Sequence, residues 1–148
     1  MAGTALTMTF EDGPLVRHLA RLSARQEWTK ARRDIGEFMV GDIQDNLDGQ
    51  KLFDGSPMPQ SKAAIKRRGK TLIKDHHLYD SYTYNLVGGG LEVGSNKVYA
   101  AIQHFGGETG RGHKTKIEAR PVMGIAIRQE LQIGYIVSQA IRDIERAQ

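Results

Sequence analysis

Several groups of residues in this chain of 148 have the types and spacing that catalysis or ligand binding uses. The segment Gly107-Glu-Thr-Gly-Arg-Gly112-His113-Lys114-Thr115 is close to a phosphate-binding loop, in which backbone amides cradle phosphates and a lysine directly after the last glycine neutralises them. His113 occupies that lysine's place, no parallel-sheet strand is expected before the loop, and no helix after it. A flexible charged loop is the expectation. Asp42, Asp45 and Asp48, followed by Gly49, suggest a hard-cation site. The only frame that fits Asn46, Asp48 and Gly49 puts Gln44 at the first ligand position and Gly55 where a bidentate glutamate belongs, so a solvated acidic helix face is expected. Among five histidines, His76 and His77 are adjacent and diverge on any regular element, while His104 and His113 flank a loop without a carboxylate pair. Ser56, Ser61, Ser81, Ser95 and Ser138 lack a nucleophile-elbow setting. With no cysteine, disulfides, thiolate zinc sites and thiol nucleophiles are excluded together. These residues imply no metal, no cofactor and no enzyme.

Charge is the stronger signal. Of a net +4, residues 1 to 59 carry 7 basic and 9 acidic side chains, and residues 60 to 148 carry 14 and 8. Lys62, Lys66, Arg67, Arg68, Lys70 and Lys74 form a run uninterrupted by any acid, enough for several phosphate contacts. Arg111, Lys114 and Lys116 add to it. Aromatic base-stacking boxes and zinc-finger spacings are missing, so any nucleic-acid contact is expected to be non-specific. The alternative is an acidic protein surface, for which Asp42, Asp45 and Asp48 are the candidates.

The elements that must position these residues follow from periodicity. Leu6, Met8 and Phe10 alternate with threonines and suggest a short strand. Leu15, Leu19 and Leu22, then Trp28, Ala31, Ile35, Phe38 or Met39, Ile43 and Leu47, keep helical spacing, which predicts two helices or one bent near Ser23 to Gln26, stopping at Gly49. A short helix is expected within Ser61 to Arg68, after the breakers Gly55 to Pro59. Tyr82, Tyr84 and Leu86, the glycines 88 to 90, then Leu91 and Val93 predict a β-hairpin. Val98 to Phe105 reads as a short helix, Gly106 to His113 as a loop, and Thr115 to Ala119 as a returning strand. The C-terminal helix is expected to turn Ile133, Val137, Ile141 and Ile144 inward. No stretch has the length and hydropathy of a signal peptide or membrane span, so a soluble protein of one domain over residues 1 to 148 is expected.

The order of these parts resembles the phage virion morphogenesis (tail completion) family of Mu-like phages. It rests on Gly94 and Ser95 before the Tyr99-Ala100 pair, His104 leading to Gly106 and Gly107, and Ala119-Arg120-Pro121 ahead of the last helix. Leu78 to Ser81 and the basic segment Lys62 to Lys70 also have counterparts there. Relatives often place a tryptophan after the proline-rich turn, whereas the only tryptophan here is Trp28. The resemblance implies a structural protein of the neck or upper tail, in the virion and in host cytoplasm during assembly. It implies a homo-oligomeric ring, hexameric in number, contacts with other neck and tail proteins, DNA in the channel, and no membrane.

The expected architecture is α+β: a small, mainly antiparallel sheet with N-terminal helices and a C-terminal amphipathic helix packed on it, plus one long glycine-rich charged loop. Gly94, Gly106 and Gly107 are expected at turns, Tyr99 as the anchor of the short helix on the sheet, and Pro121 at the start of the last helix. The segment Gly106 to Lys116 has no apolar anchor before Ile117, so it is expected to be mobile until it meets another chain.

Overall fold

In a computed structural model, residues 13 to 23 and 27 to 147 are described; the strand expected at residues 4 to 10 lies outside them. The order is α1 (Gly13–Ser23), α2 (Glu27–Gly49), α3 (Lys62–Arg67), β1 (Tyr82–Val87), β2 (Gly90–Ser95), α4 (Ala100–Phe105), β3 (Gly107–Thr109), β4 (Thr115–Ile117) and α5 (Ile127–Arg146). This is the α+β arrangement expected.

The long helix α2 organises everything else. Its inward line of Ala31, Met39, Ile43 and Leu47 is buried, as one helical face should be. It ends at the expected glycine stop: Gly49 is its last residue, and Gln50 just beyond takes the left-handed conformation, φ 52°, while Gln50 and Lys51 donate back to Leu47 O at 3.2 Å and Asn46 O at 2.8 Å. A β-carbon is disfavoured there, and two side-chain bonds from Gln50, to Leu47 O at 2.6 Å and Thr71 O at 3.1 Å, offset the strain.

Strands β1 and β2 pair antiparallel from Tyr82↔Ser95 to Val87↔Gly90 around the turn glycines 88 and 89. Tyr82, Tyr84 and Leu86 turn inward while Thr83, Asn85 and Val87 stay exposed, the alternation of a sheet with one solvated face. Helix α2 lies across this sheet, and α5 packs on α2. The C-terminal helix therefore reaches the sheet through α2. Ile43, Leu47, Met58, Ile73, Leu78, Tyr82 and Val122 form the core between α2, the loops and the hairpin.

Two close approaches hold these layers. A β-carbon on Gly36 would stand 2.5 Å from the Tyr84 ring, and one on Gly124 2.6 Å from the Phe53 ring. Gly36→Ala is therefore expected to cost about 1 to 2 kcal/mol, overpacking outweighing the gain in helix propensity. Urea titration checks this, and Tyr84→Leu in the same chain should remove most of the added loss because the clash belongs to the pair. An alanine variant as stable as its parent contradicts the contact.

Four expectations change. The segment 106 to 113, expected as a loop, contributes strand β3, which pairs with β4, the expected returning strand, from Gly107↔Ile117 to Thr109↔Thr115. Gly110 and Gly112 at φ 81° and 71° make the reversal possible. Gly94 is inside β2, paired with Thr83. Pro121 stands six residues before α5, which Ala126 caps, and its carbonyl accepts from Phe53 N at 3.0 Å. Tyr99 is 40% exposed; Ala100 instead packs against the core. Gly106 and Gly107 do take positive φ, 72° and 146°.

Candidate functional site

The basic run is built as a short capped helix followed by a clipped loop. Ser61 Oγ accepts from Ala64 N at 3.1 Å to start α3, and Arg68, at φ 53°, ends it. Buried Ala64 fixes which face turns inward, so Lys62 and Lys66, one turn apart, face solvent. Thr71 is fully buried; its N–H donates to Gln50 Oε1 at 2.7 Å, and its hydroxyl accepts from Ser61 N at 3.1 Å. The loop is thus held to both the end of α2 and the start of α3.

Not all six cations are free. The Arg67 guanidinium donates to Lys70 O, and to Ile73 O at 3.2 Å, closing its own loop. Lys70 Nζ donates to Asp48 O at 2.8 Å and stands 4.0 Å from its carboxylate. Lys74 pairs with Asp75 at 3.8 Å. Lys62, Lys66 and Arg68 have no ion-pair partner among the described residues, nor have Arg111, Lys114 and Lys116 on the exposed β3–β4 hairpin. Between Arg67 at the end of α3, Lys74 and His77 of the loop, Tyr99 just before α4 and Gln103 within it lies an open cavity.

The acidic counter-surface does not form as a set. Asp48 already meets Lys70 within the same chain and accepts from Tyr79 Oη at 3.0 Å; that bond to Asp48 pushes the Tyr79 hydroxyl pKa up. Asp45 is exposed. Asp42 is buried, 4% exposed, because it is the centre of an internal polar hub. It accepts from Arg128 Nη1, from Gln129 Nε2 at 2.9 Å and, more weakly, from Asn46 Nδ2 at 3.4 Å. Gln129 is fully buried and fully bonded: it also donates to Phe53 O at 2.7 Å and accepts from Ala126 N at 3.0 Å. Asn46 also donates to Val122 O at 3.0 Å. Sequence reasoning missed Arg128 and Gln129. A signal existed in Asp42 and Asn46, which directly precede the core residues Ile43 and Leu47 and so border the buried face.

Two of the family-motif residues, Arg120 and His104, make contacts within the fold. Arg120 is buried, donating from Nε to Pro59 O at 2.6 Å and from Nη1 to Glu118 O at 3.2 Å, while its N–H bonds Gln103 O at 2.8 Å. It joins the proline turn, α4 and the run into α5. His104 lies edge-on to Phe105, ring centroids 4.7 Å apart, and burial lowers its pKa. No group of three histidines or carboxylates among the described residues could hold a metal, and no described helix is long and apolar enough to cross a membrane.

The arrangement offers charged surfaces and internal clips. The phage virion morphogenesis family matches residues 11 to 142, spanning the hub, the basic loop and both hairpins. A curated relative, Mu-like prophage FluMu G protein 2 of Haemophilus influenzae (strain ATCC 51907 / DSM 11121 / KW20 / Rd), is 36% identical over 81 residues, 55% of this chain and 59% of the relative. The chain thus spans less than two thirds of that relative's length. No solved structure matches. With the match extending from α1 into α5, the chain belongs to the phage virion morphogenesis family.

Proposed function

We propose that this chain is a structural subunit of the phage neck or upper tail, acting in tail completion and head-to-tail joining as one member of a closed homo-oligomeric ring. It performs no catalysis. The observation that carries this reading is membership of a virion morphogenesis family over nearly all of the chain. Unpartnered surfaces support it: large apolar side chains lie open on α4 and α5, and a protein that works by assembly leaves such faces for its neighbours. Native mass spectrometry of the purified chain tests the ring. One closed stoichiometry is expected, and a monomer at every concentration overturns the reading.

The free cations Lys62, Lys66 and Arg68 favour a second role within the first, non-specific contact with DNA passing the ring. Asp48, the neighbouring acid, is already bonded within the chain. The triple change Lys62→Glu, Lys66→Glu and Arg68→Glu should leave the oligomer intact. It should lower duplex-DNA affinity at least tenfold at low salt and reduce the slope of log K against log salt by about 3, roughly one per lost phosphate contact. Unchanged affinity and normal infectivity would mean a merely solvated face; loss of the oligomer would put the run at a subunit boundary.

A further inference from the structure

Helix α5 is apolar on two opposite sides. One side holds Gln129, Ile136, Ala140 and Ile144 against α2. At 3.6 residues per turn, Ile127, Leu131 and Tyr135 fall on the other side, and they are 76%, 69% and 59% exposed. An ordinary surface helix carries polar residues there. A second apolar face belongs to α4: Val98 just before it is 96% exposed, Phe105 at its end 77%, with exposed Ala101 between them at helical spacing. No hydrogen bond, ion pair or cavity among the described residues joins the two faces.

Their charged surroundings are opposite. Two adjoining grooves border the α5 face, one with Asp54 and Arg128 beside Leu131, the other with Lys30, Asp34 and Asp143 beside Tyr135. Lys30 is bonded to Asp34 at 3.0 Å and Arg128 to the buried Asp42, so both groove cations are already paired, while Asp54 and Asp143 have no ion pair among the described residues. In the chain on either side of α4 the balance reverses: from residue 97 to 118, Lys97, Arg111, Lys114 and Lys116 outnumber Glu108 and Glu118. Each face is an apolar centre with a charged border, and the borders attract.

We propose that the α5 face of one subunit docks on the α4 face of a second copy of this chain. Two different surfaces of one molecule in contact make a head-to-tail interface, the kind that closes into a ring when its rotation permits. The pairing rests on the ring reading and supplies its geometry: the β3–β4 hairpin, which follows Phe105 directly, lies at the subunit boundary, and the α2–α5 groove forms the acidic margin it meets.

Leu131→Lys sets a cation against the basic border of the α4 face, and Phe105→Glu sets an anion against the acidic border of the α5 face. Both positions are exposed, so each variant should keep the parent's thermal midpoint; Tyr135→Lys and Val98→Glu are a second pair should either fail to fold. By light scattering each single variant should be monomeric where the parent is oligomeric. An equimolar mixture should associate again, because each variant retains the face the other has lost. Parent-like oligomers from both variants would overturn this pairing and leave the ring reading standing. Assembly of Phe105→Glu alone would mean that α5 pairs with itself, also contradicting the head-to-tail arrangement. A mixture that stays monomeric contradicts it too, and a monomeric parent contradicts the ring and the pairing together.

Discussion

Replacing Arg128 by methionine should destabilise the folded chain by about 3 kcal/mol, clearly more than replacing its partner Asp42 by asparagine, for which about 1 kcal/mol is expected. The asymmetry comes from burial. The Asp42 side chain is 2% exposed and that of Arg128 56%. Without Arg128, a carboxylate is left inside the protein with only the amides of Gln129 and Asn46 as donors, and a buried charge without its counter-ion is among the costliest single defects. With Asp42→Asn, the guanidinium can turn into water, while Gln129 keeps Phe53 O and Asn46 keeps Val122 O. Because the hub connects α2, α5 and the segments at Phe53 and Val122, its loss should appear in global unfolding. Urea titration of both variants checks the ranking; equal losses, or a larger loss for Asp42→Asn, contradict the hub as described.

Ile144→Asp should unfold the domain at ordinary temperature, with a loss of about 3 to 5 kcal/mol or more, while Ile141→Asp should leave a weakened but folded chain. Ile144 is completely buried, whereas Ile141, Ile133 and Val137 are only half-buried. A new carboxylate at Ile144 is taken out of water, and its desolvation is comparable to the whole stability of a small domain. At Ile141 the charge can lean toward water. Far-UV circular dichroism with thermal melting distinguishes them, and a cooperative, parent-like melt of Ile144→Asp would show that α5 does not seal the core.

The long periodic elements were legible in the sequence because many residues vote on one period. Helix α2 contributes five apolar positions at spacings of four, and the first hairpin alternates cleanly on either side of three glycines; in α5 the helical period was legible but its register was not, since of the expected inward residues Ile133, Val137, Ile141 and Ile144 only Ile144 is buried. Short elements gave too few residues to vote. Strands β3 and β4 have three residues each; β4 falls within the strand expected at Thr115 to Ala119, whereas the exposed polar side chains of β3 disguise it as a loop. Pro121 reads as a helix start since proline suits that place, yet Phe53 uses its carbonyl and α5 begins later.

The candidate surfaces were legible as composition but not as pairing. All six cations of the run look alike in sequence, and only folding separates Arg67 and Lys70, spent on carbonyls, from Lys62, Lys66 and Arg68. Asp42, Asp45 and Asp48 likewise form one acidic series on paper. Their spacing of three turns each about 60° further around α2, which carries Asp42 into the core border and leaves Asp45 and Asp48 outside. The outward apolar face of α5 was present in Ile127, Leu131 and Tyr135, hidden behind the stronger inward pattern.

The proposed place in assembly is tested most directly by electron microscopy of the particles made when the gene for this chain is disabled in its phage and then restored in trans. Capsids and tails that accumulate without joining, and that join again when the intact chain is supplied, are the expected result. Normal numbers of complete, infectious virions in its absence would contradict a role in tail completion and head-to-tail joining.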